Sequence, residues 1–352
     1  MLTSAGELKF ARVYFRCVKC GAGGYAADDR LGIDGRYSVE VQRLASLAAA
    51  SWSYDVSSQR LDELCGIRLS ENTIREIAQQ HGAAMNAWQN SDPQACRAFR
   101  EADGQTEFST DGTSVNTTGG WREMKLGIFS KRPDGQPAPP EQWADRILPR
   151  PVARVAFCAI ERSDRFGRRW KQWARRLGIL DTSHVTVLAD GAKWIWEEQI
   201  KHLRGADGVL DVFHALEHVA AAARSLHGEG TTEAADWLDS CRGTLLGQGW
   251  TAIHNSITTT RESLTSPAQQ QPLDELLNYL SPHADHMHYA KRLAQGRSIG
   301  SGQVEGACKN LVGRRLKQTG ARWKVRRVNR MAGLCSVMYS ENWKHYWNTL
   351  TA

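Results

Sequence analysis

The sequence lacks three features that would place it outside the ordinary intracellular enzymes and binding proteins. No run of 18 or more apolar residues occurs, which argues against a membrane-spanning helix. Residues 1–8 lack a basic stretch followed by an apolar one, so they do not resemble a secretory signal. Of the eight cysteines, only Cys17 and Cys20 are closely spaced, which argues against a disulfide framework. We therefore expect a cytosolic protein without a membrane partner.

Acidic residues are missing from residues 306–340, although they are frequent elsewhere in the chain. A solvated surface usually mixes both signs of charge, so this window predicts contact with a polyanion. The net charge of +7 is consistent with such a partner. The window contains nine cations: Lys309, Arg314, Arg315, Lys317, Arg322, Lys324, Arg326, Arg327 and Arg330.

One carboxylate, Glu305, precedes this basic window in the first turn of a predicted helix that Ser301 is positioned to cap. A carboxylate beside bound phosphates would be explained by a hydrated divalent cation, which needs further carboxylates from elsewhere in the chain. The helix has an apolar face at spacings of three and four residues, formed by Val304, Cys308, Leu311 and Val312.

The pair Cys17 and Cys20 forms one half of a zinc-knuckle motif. Structural zinc sites use four ligands, and no second C-x-x-C follows. Zinc at this site would need Cys65, His81, a partner chain or residues upstream to complete it.

Sequence patterns divide the chain into six segments. Residues 38–82 predict helices with a capping Ser70 after Gly66, which fits a helix-turn-helix and an ordinary three-helix bundle equally well. The predicted segments are 1–36 with the C-x-x-C turn, 37–103 as a helical, helix-turn-helix-like domain and linker, 104–227 as the first part of an α/β core, 228–296 as a helical insertion, 297–340 as the completion of the core, and 341–352 as a tail.

Five strands are predicted in the α/β core. Three come in succession and two more alternate with helices, an order that implies a mixed sheet flanked by helices. The strands are expected near residues 106–111, 121–129, 152–160, 184–190 and 208–213.

Asp111 and Asp190 are each followed by glycine and are predicted to lie where a strand ends. Either one alone is ordinary turn chemistry. Side chains at the ends of strands converge on ligands in open α/β sheets, however. Together with Glu305 they would supply three carboxylates to two Mg²⁺ ions (or Mn²⁺), the arrangement used for phosphodiester transfer.

The chain resembles DDE transposases of the ISKra insertion-sequence family, from about Arg16 to its end. The shared motifs are Asp-Gly-Thr at 111–113, Gly-Trp-Arg-Glu-Met-Lys at 120–125, Leu-Ala-Asp-Gly-Ala-Lys-Trp-Ile-Trp at 188–196, Asp-x-Phe-His-Ala-x-Glu-His at 211–218, Gly-Ser-Gly-x-Val-Glu-x-Ala-Cys-Lys at 300–309 and Gly-Arg-Arg-Leu-Lys-Gln-x-Gly-x-Arg-Trp at 313–323. Val212 stands where relatives usually have an aromatic residue.

The resemblance implies an RNase H-like core with an all-helical insertion, in which Asp111, Asp190 and Glu305 form the acidic triad. It also implies cleavage of double-stranded DNA at the terminal inverted repeats of the element and strand transfer into target DNA, in the bacterial nucleoid. A homo-oligomer is expected because two ends must be handled together. Predicted DNA contacts are Lys309, Arg314, Arg315, Lys317, Arg322, Trp323, His214 and His218.

Alternative interpretations exist for several of these residues. His214, Glu217 and His218 also match the H-x-x-E-H motif of a zinc peptidase. The two histidines fit phosphate contacts and ordinary helix residues alike. Trp323 suits a core position as well as a DNA contact, and Arg315, on the apolar side of its helix, needs a helix end or a phosphate as partner. A non-catalytic DNA-binding regulator would require no clustering of the three acids.

Overall fold

The computed structural model describes residues 1–25, 28 and 35–351. Outside the described residues lie 26–27 and 29–34 of the predicted segment 1–36, and residue 352 of the predicted segment 341–352. No helix within the described part is long and apolar enough to cross a membrane. The chain forms two compact units. Unit 1 contains Met1–Cys96, Ser114–Arg122 and Lys309–Ala352, and unit 2 contains Arg97–Thr113 and Glu123–Cys308.

Within the described residues, the strands form two small hairpins and one five-stranded sheet. In chain order they are β1 (Leu2–Thr3), β2 (Gly6–Glu7), β3 (Tyr14–Arg16), β4 (Gly23–Tyr25), β5 (Gln105–Thr117), β6 (Gly120–Arg132), β7 (Ala153–Ala159), β8 (Val185–Ala189) and β9 (Asp207–Leu210).

Helices make up most of the remaining structure. They are α1 (Val39–Ser51), α2 (Tyr54–Cys65), α3 (Glu71–Ser91), α4 (Arg97–Glu101), α5 (Ser163–Arg176), α6 (Lys193–His202), α7 (Val212–His227), α8 (Thr232–Gln248), α9 (Trp250–Ser263), α10 (Pro267–Leu280), α11 (Tyr289–Ala294), α12 (Gly302–Ala307), α13 (Arg314–Leu316), α14 (Val325–Tyr339) and α15 (Trp343–Asn348). A π-helical stretch, Cys308–Gly313, separates α12 from α13.

In unit 1, α3 packs against α1, α2 and α14. Its first turn is capped by Ser70, as predicted, whose hydroxyl accepts a hydrogen bond from the N–H of Thr73 at 3.2 Å. The exposed side of its first three turns carries Glu71, Asn72, Glu76 and Gln80. The helix-turn-helix and the ordinary bundle both remain predictions for these helices.

Two glycines allow α3 and α14 to approach closely. A Cβ atom at Gly82 would lie 2.4 Å from the carbonyl oxygen of Arg330, and one at Gly333 would lie 2.9 Å from Cβ of Asn86. This packing explains a departure from the predicted domains. The segment 297–340 does not stay together, because the structure assigns its residues from Lys309 onward to unit 1.

Gly82→Ala is expected to lower the free energy of unfolding by about 1–3 kcal/mol, because the added methyl group overpacks the helix crossing. The matched control is Gly243→Ala in the interior of α8, where nothing lies within 4 Å of the added Cβ. There alanine should raise stability by about 0.5–1 kcal/mol. Denaturant unfolding of both variants measures the difference, and equal effects of the two substitutions would contradict the close crossing.

Unit 2 contains the five-stranded sheet in the order β7-β6-β5-β8-β9. β5 pairs in parallel with β8, β8 pairs in parallel with β9, and β6 pairs antiparallel with β7. This confirms the predicted mixed sheet in an α/β protein. Residues 228–296, all of which are described, contain helices and no strand.

The two faces of the sheet differ in chemistry. On one face, Phe108 of β5 packs against Phe129 at 4.5 Å and against Trp170 of α5 at 4.8 Å, measured between ring centroids. On the other face lies Glu107, which pairs with Arg132 at 2.9 Å and accepts a hydrogen bond from Ser298. Since side chains alternate along a strand, Asp111 belongs to the face of Glu107.

The predicted linker after Asp92 is instead ordered structure. A 3₁₀ turn, Pro93–Cys96, leads into α4, and the side chains of Cys96 and Phe99 are each only 1% exposed. One side of this mostly polar segment is buried. It is formed by three apolar residues at spacings of one and three, Ala95, Cys96 and Phe99.

Candidate metal-binding active site

Asp111 lies inside β5, which corrects the prediction that it ends a strand. The strand continues to Thr117 because β5 and β6 form a long hairpin joined by only two residues. One carboxylate oxygen of Asp111 accepts the N–H of Gly112 at 2.6 Å, and the other lies 3.6 Å from Sγ of Cys308. Burial raises the pKa of Asp111, and the nearby charge of Asp190 raises it further.

Asp190 directly follows β8, as predicted. Its Oδ1 accepts the N–H of Ala192 at 3.0 Å, and its backbone carbonyl accepts a hydrogen bond from the indole of Trp196 at 2.9 Å. These contacts hold the turn between β8 and α6. The charge of Asp190 contributes to the pKa shifts of both Asp111 and His214.

Asp211, which the sequence analysis did not single out as a site residue, is the buried centre of this region. It is 0% exposed and directly follows β9. Its Oδ1 accepts the N–H groups of Phe213 and His214 at 2.7 and 3.3 Å, which caps α7. Its Oδ2 accepts the N–H of Ser301 at 2.5 Å and the hydroxyl of Ser301. Asp211 therefore ties the start of α7 to the start of α12.

The role predicted for Ser301 needs correction at this point. Ser301 does precede α12, but its hydroxyl makes no capping bond to the helix and donates to Asp211 instead. A second contact holds α12 against the sheet, because the hydroxyl of Ser130 in β6 donates to Oε1 of Gln303 at 2.9 Å. Both contacts fix the helix turn that carries Glu305.

Glu305 lies beside His214 and Asp211. Each of the three offers one ligand atom, and these atoms all lie within 4.8 Å of one another. Asp111, Asp190 and Glu305 do not form such a group among the described residues. Asp111 nevertheless contacts Cys308, one helical turn after Glu305, and His214 interacts electrostatically with Asp111 and Asp190. Glu305 therefore lies beside His214, and Asp111 and Asp190 interact with the same histidine electrostatically.

His214 is cationic at neutral pH. The carboxylate of Asp211, 3.7 Å from Nδ1, raises the pKa of His214 to about 9, with further contributions from Asp190 and Glu217. Burial would raise the pKa of Asp211, but the contacts with His214 and Ser301 lower it overall. Asp211 is thus an anion at neutral pH that pairs with the histidine.

The hydrogen bonds of Asp211 make it a poor metal ligand. Its two oxygens already accept four donors, and the residue is inaccessible to solvent. Asp111, Asp190 and Glu305 are only partly buried, and Asp111 and Asp190 accept fewer hydrogen bonds than Asp211, so these three carboxylates suit a hard cation better. Ligands of a single Mg²⁺ lie within about 4.2 Å of each other, since each bond is about 2.1 Å. Two ions about 3.5–4 Å apart allow a wider spread of carboxylates.

The wall of the site beside Asp190 includes Tyr279 of α10, a residue that the sequence offered no signal to find. A Cβ atom at Gly191 would lie 2.4 Å from Cε2 of Tyr279, so the glycine after Asp190 permits this close contact. The ring of Tyr279 stacks on His218 with centroids 3.6 Å apart. Burial, with a contribution from Asp190, raises the pKa of Tyr279 to about 12, so its hydroxyl stays neutral.

The stacking of His218 bears on the zinc-peptidase alternative. Among the described residues, no group of three metal-binding side chains includes both His214 and His218. Nδ1 of His214 lies 3.7 Å from the carboxylate of Asp211, and the ring of His218 stacks on Tyr279. The geometry therefore disfavours the H-x-x-E-H interpretation.

Cys17 and Cys20 lie on the exposed turn between β3 and β4. Hydrogen bonds from the backbone N–H groups of Cys20 and Lys19 lower the pKa of Cys17. Within the described part of the chain, no other side chain joins them in a group of three ligands. His81, one suggested ligand, is buried and contacts Tyr346 and Gln42 instead. Zinc at this turn stays a prediction.

The predicted DNA contacts fall in both units. Three line a basic cavity in unit 1, namely Arg315, Arg322 and Trp323. Lys309, Arg314 and Lys317 are exposed side chains of the same unit. His214 and His218 belong to unit 2, next to the acids. Trp323 is only 7% exposed and its indole donates to the carbonyl of Leu316 at 3.0 Å, so most of its surface is core.

Comparison with known proteins adds no assignment to this geometry. No protein-family profile matches the chain, and no curated protein matches it significantly. Function must therefore be inferred from the arrangement of Asp111, Asp190, Glu305 and His214, together with the sequence motifs that contain them.

Proposed function

We propose that this protein is a DDE transposase, an enzyme that cleaves DNA at the ends of an insertion sequence and joins them to target DNA. One observation carries the proposal: Glu305 lies beside His214, Asp111 contacts Cys308 one turn after Glu305, and His214 interacts electrostatically with Asp111 and Asp190. Three carboxylates around one cation are poorly explained by stability alone, because like charges in a partly buried site repel one another.

The sheet supports an RNase H-like core for unit 2. Three strands that follow one another in sequence occupy one side, in the order β7-β6-β5, and the parallel strands β8 and β9 complete the other. This order places Asp111 on the central strand and Asp190 after its parallel neighbour. The helical residues 228–296 follow α7 and precede α12, where the resemblance implies an all-helical insertion.

The proposed ligands of two Mg²⁺ or Mn²⁺ ions are Asp111, Asp190 and Glu305, whose partly exposed carboxylates are the oxygen ligands that hard cations prefer. Bound there, the ions would activate a water or a 3′-hydroxyl and stabilise the leaving oxygen of the phosphodiester. Hydrolysis forms a bond from water to phosphorus and releases a 3′-hydroxyl. Strand transfer then forms a bond from that hydroxyl to a target phosphorus and releases a target 3′-hydroxyl.

The chain's own groups have distinct roles in this proposal. Protonated His214 is positioned to offset the negative charge of the acids and to donate a hydrogen bond to a phosphate oxygen. Asp211 is a positioning residue that holds His214 and the turn before Glu305. Tyr279 packs against the turn after Asp190 and forms one wall of the site.

The proposed partners are the terminal inverted repeats of the element and target DNA, both double-stranded. The basic residues of unit 1 are the proposed DNA-binding surface, and a homo-oligomer would hold the two ends together. Such an enzyme would act at the bacterial nucleoid.

The test is a cleavage and strand-transfer assay on DNA that contains the element end, with Mg²⁺ or Mn²⁺ and with EDTA as control. The proposal predicts metal-dependent release of a 3′-hydroxyl and joined products. DNA binding without cleavage in either metal would favour the non-catalytic regulator. Metal-dependent proteolysis without DNA cleavage would favour the peptidase.

A further inference from the structure

Unit 1 contains a basic cavity that the acids of unit 2 do not explain. Its volume is about 530 Å³, within the range of pockets that bind small ligands, about 300–1,000 Å³. No acidic residue lines it. Five cations do: Arg75, Arg315, Arg322, Lys324 and Arg327. We call this cavity the arginine pocket.

None of these five cations forms an ion pair with a carboxylate within the described ranges 1–25, 28 and 35–351. Like charges gathered around one cavity repel each other, and that repulsion is relieved when an anion enters. The pocket is therefore built for a negatively charged ligand.

Arg315 gives the strongest indication of such a ligand. Its side chain is buried, with only 3% of the residue exposed, and Nε donates to the carbonyl of Ala49 at 2.5 Å. Its guanidinium lies 4.9 Å from the ring centroids of both Tyr54 and Trp323. Burial lowers the pKa of Arg315, but a guanidinium keeps its proton in proteins. A buried charge without a carboxylate is costly, so an anion is expected beside it.

Two further features bear on the same cavity. The hydroxyl of Tyr54 is buried beside the side chain of Gln79, and the charges of Arg315, Arg75 and Arg327 all act on it. Helix α14 begins at Lys324, whose side chain makes no capping bond, so the positive end of a 15-residue helix lies at the pocket.

We propose that the arginine pocket binds a phosphate group of a DNA strand, with the guanidinium of Arg315 as its buried donor. The proposal rests on the function proposed above, since it assigns the DNA-anchoring site of the same protein. A guanidinium matches two phosphate oxygens with two parallel N–H donors. Arg75, Arg327 and Lys324 neutralise the remaining charge at the rim.

The experiment measures binding of a labelled DNA duplex by fluorescence anisotropy in EDTA, so that cleavage does not enter. Arg327→Gln removes a cation that lines the pocket, and Arg326→Gln removes an exposed cation next to it in sequence that does not. Both variants change the net charge equally. The pocket predicts that Arg327→Gln weakens binding about 10-fold, while Arg326→Gln has a much smaller effect.

Arg75→Gln, on α3, is expected to match Arg327→Gln, and each should reduce the slope of log affinity against log salt by about one. Arg315→Lys tests the buried donor, and circular dichroism identifies any loss of folding.

If Arg327→Gln, Arg75→Gln and Arg326→Gln bind DNA alike while the wild type still cleaves it, the pocket assignment fails and the transposase stands. If a deoxynucleoside monophosphate binds the arginine pocket but the pocket variants bind DNA as the wild type does, the pocket is a site for free nucleotides. That result would also overturn the proposal. Pocket-dependent DNA binding without metal-dependent cleavage would overturn the function alone.

Discussion

Glu305→Gln is expected to reduce metal-dependent DNA cleavage by at least about 100-fold. Removing a metal ligand lowers activity more than removing a group that only hydrogen-bonds to a ligand. Asp111→Asn and Asp190→Asn should have comparable effects. The amide replaces one anionic oxygen with a nitrogen donor, which a hard cation such as Mg²⁺ does not accept as a ligand. The measurement is the rate of strand cleavage at saturating Mg²⁺.

DNA binding in EDTA should be unchanged in these variants, since the proposed DNA anchor lies in unit 1. The matched control is Glu217→Gln, which neutralises an exposed acid on α7 near His214. Glu217 would be the general base of a zinc peptidase, so the control also separates the two mechanisms. Loss of cleavage in Glu217→Gln, with cleavage kept in Glu305→Gln, would remove the proposed assignment.

Asp211→Ala should produce the largest loss of stability among single substitutions in unit 2. It leaves two N–H donors at the start of α7 and both donors of Ser301 without their buried acceptor. It also leaves His214 without its ion-pair partner. Breaking a buried charged network of this kind costs about 3–5 kcal/mol. Denaturant unfolding measures the change.

Asp181→Ala is the control for Asp211→Ala. Asp181 also accepts a backbone N–H two residues ahead, from Ser183 at 2.9 Å, but it is exposed and its loss should be small. Asp211→Asn should be intermediate, because it keeps the cap of α7 and places an amide against the N–H of Ser301. Similar losses for Asp211→Ala and Asp181→Ala would contradict the central position of Asp211.

The sequence predicted the mixed sheet because each strand has its own local pattern and the order of strands and helices restricts the topology. It misplaced Asp111 at a strand end, since the turn signal of Asp-Gly is local, whereas the continuation of β5 depends on pairing with β6. In the sequence, Asp211 stands out only as the first residue of the motif at 211–218. Its burial arises from contact with Ser301, 90 residues away in sequence, which no local pattern reports.

The lack of acids identifies the basic window in the sequence, but it does not show which other segments lie beside that window in the fold. Arg75 and Tyr54 line the arginine pocket with Arg315, although they belong to helices far earlier in the chain. The close crossing at Gly82 and Gly333 brings these segments together in unit 1. A glycine inside a helix lowers the helix propensity of the sequence, and only close packing against the partner helix explains its presence at Gly82 and Gly333.

The central claim is that Asp111, Asp190 and Glu305 hold metal ions together. It is tested most directly by titrating the protein with Mn²⁺ and following the free ion by electron paramagnetic resonance. The wild type should bind Mn²⁺ saturably, and Asp111→Asn, Asp190→Asn and Glu305→Gln should each weaken that binding by more than about 10-fold. Glu217→Gln should bind as the wild type does. Unchanged Mn²⁺ affinity in all three acid variants would contradict the shared metal site.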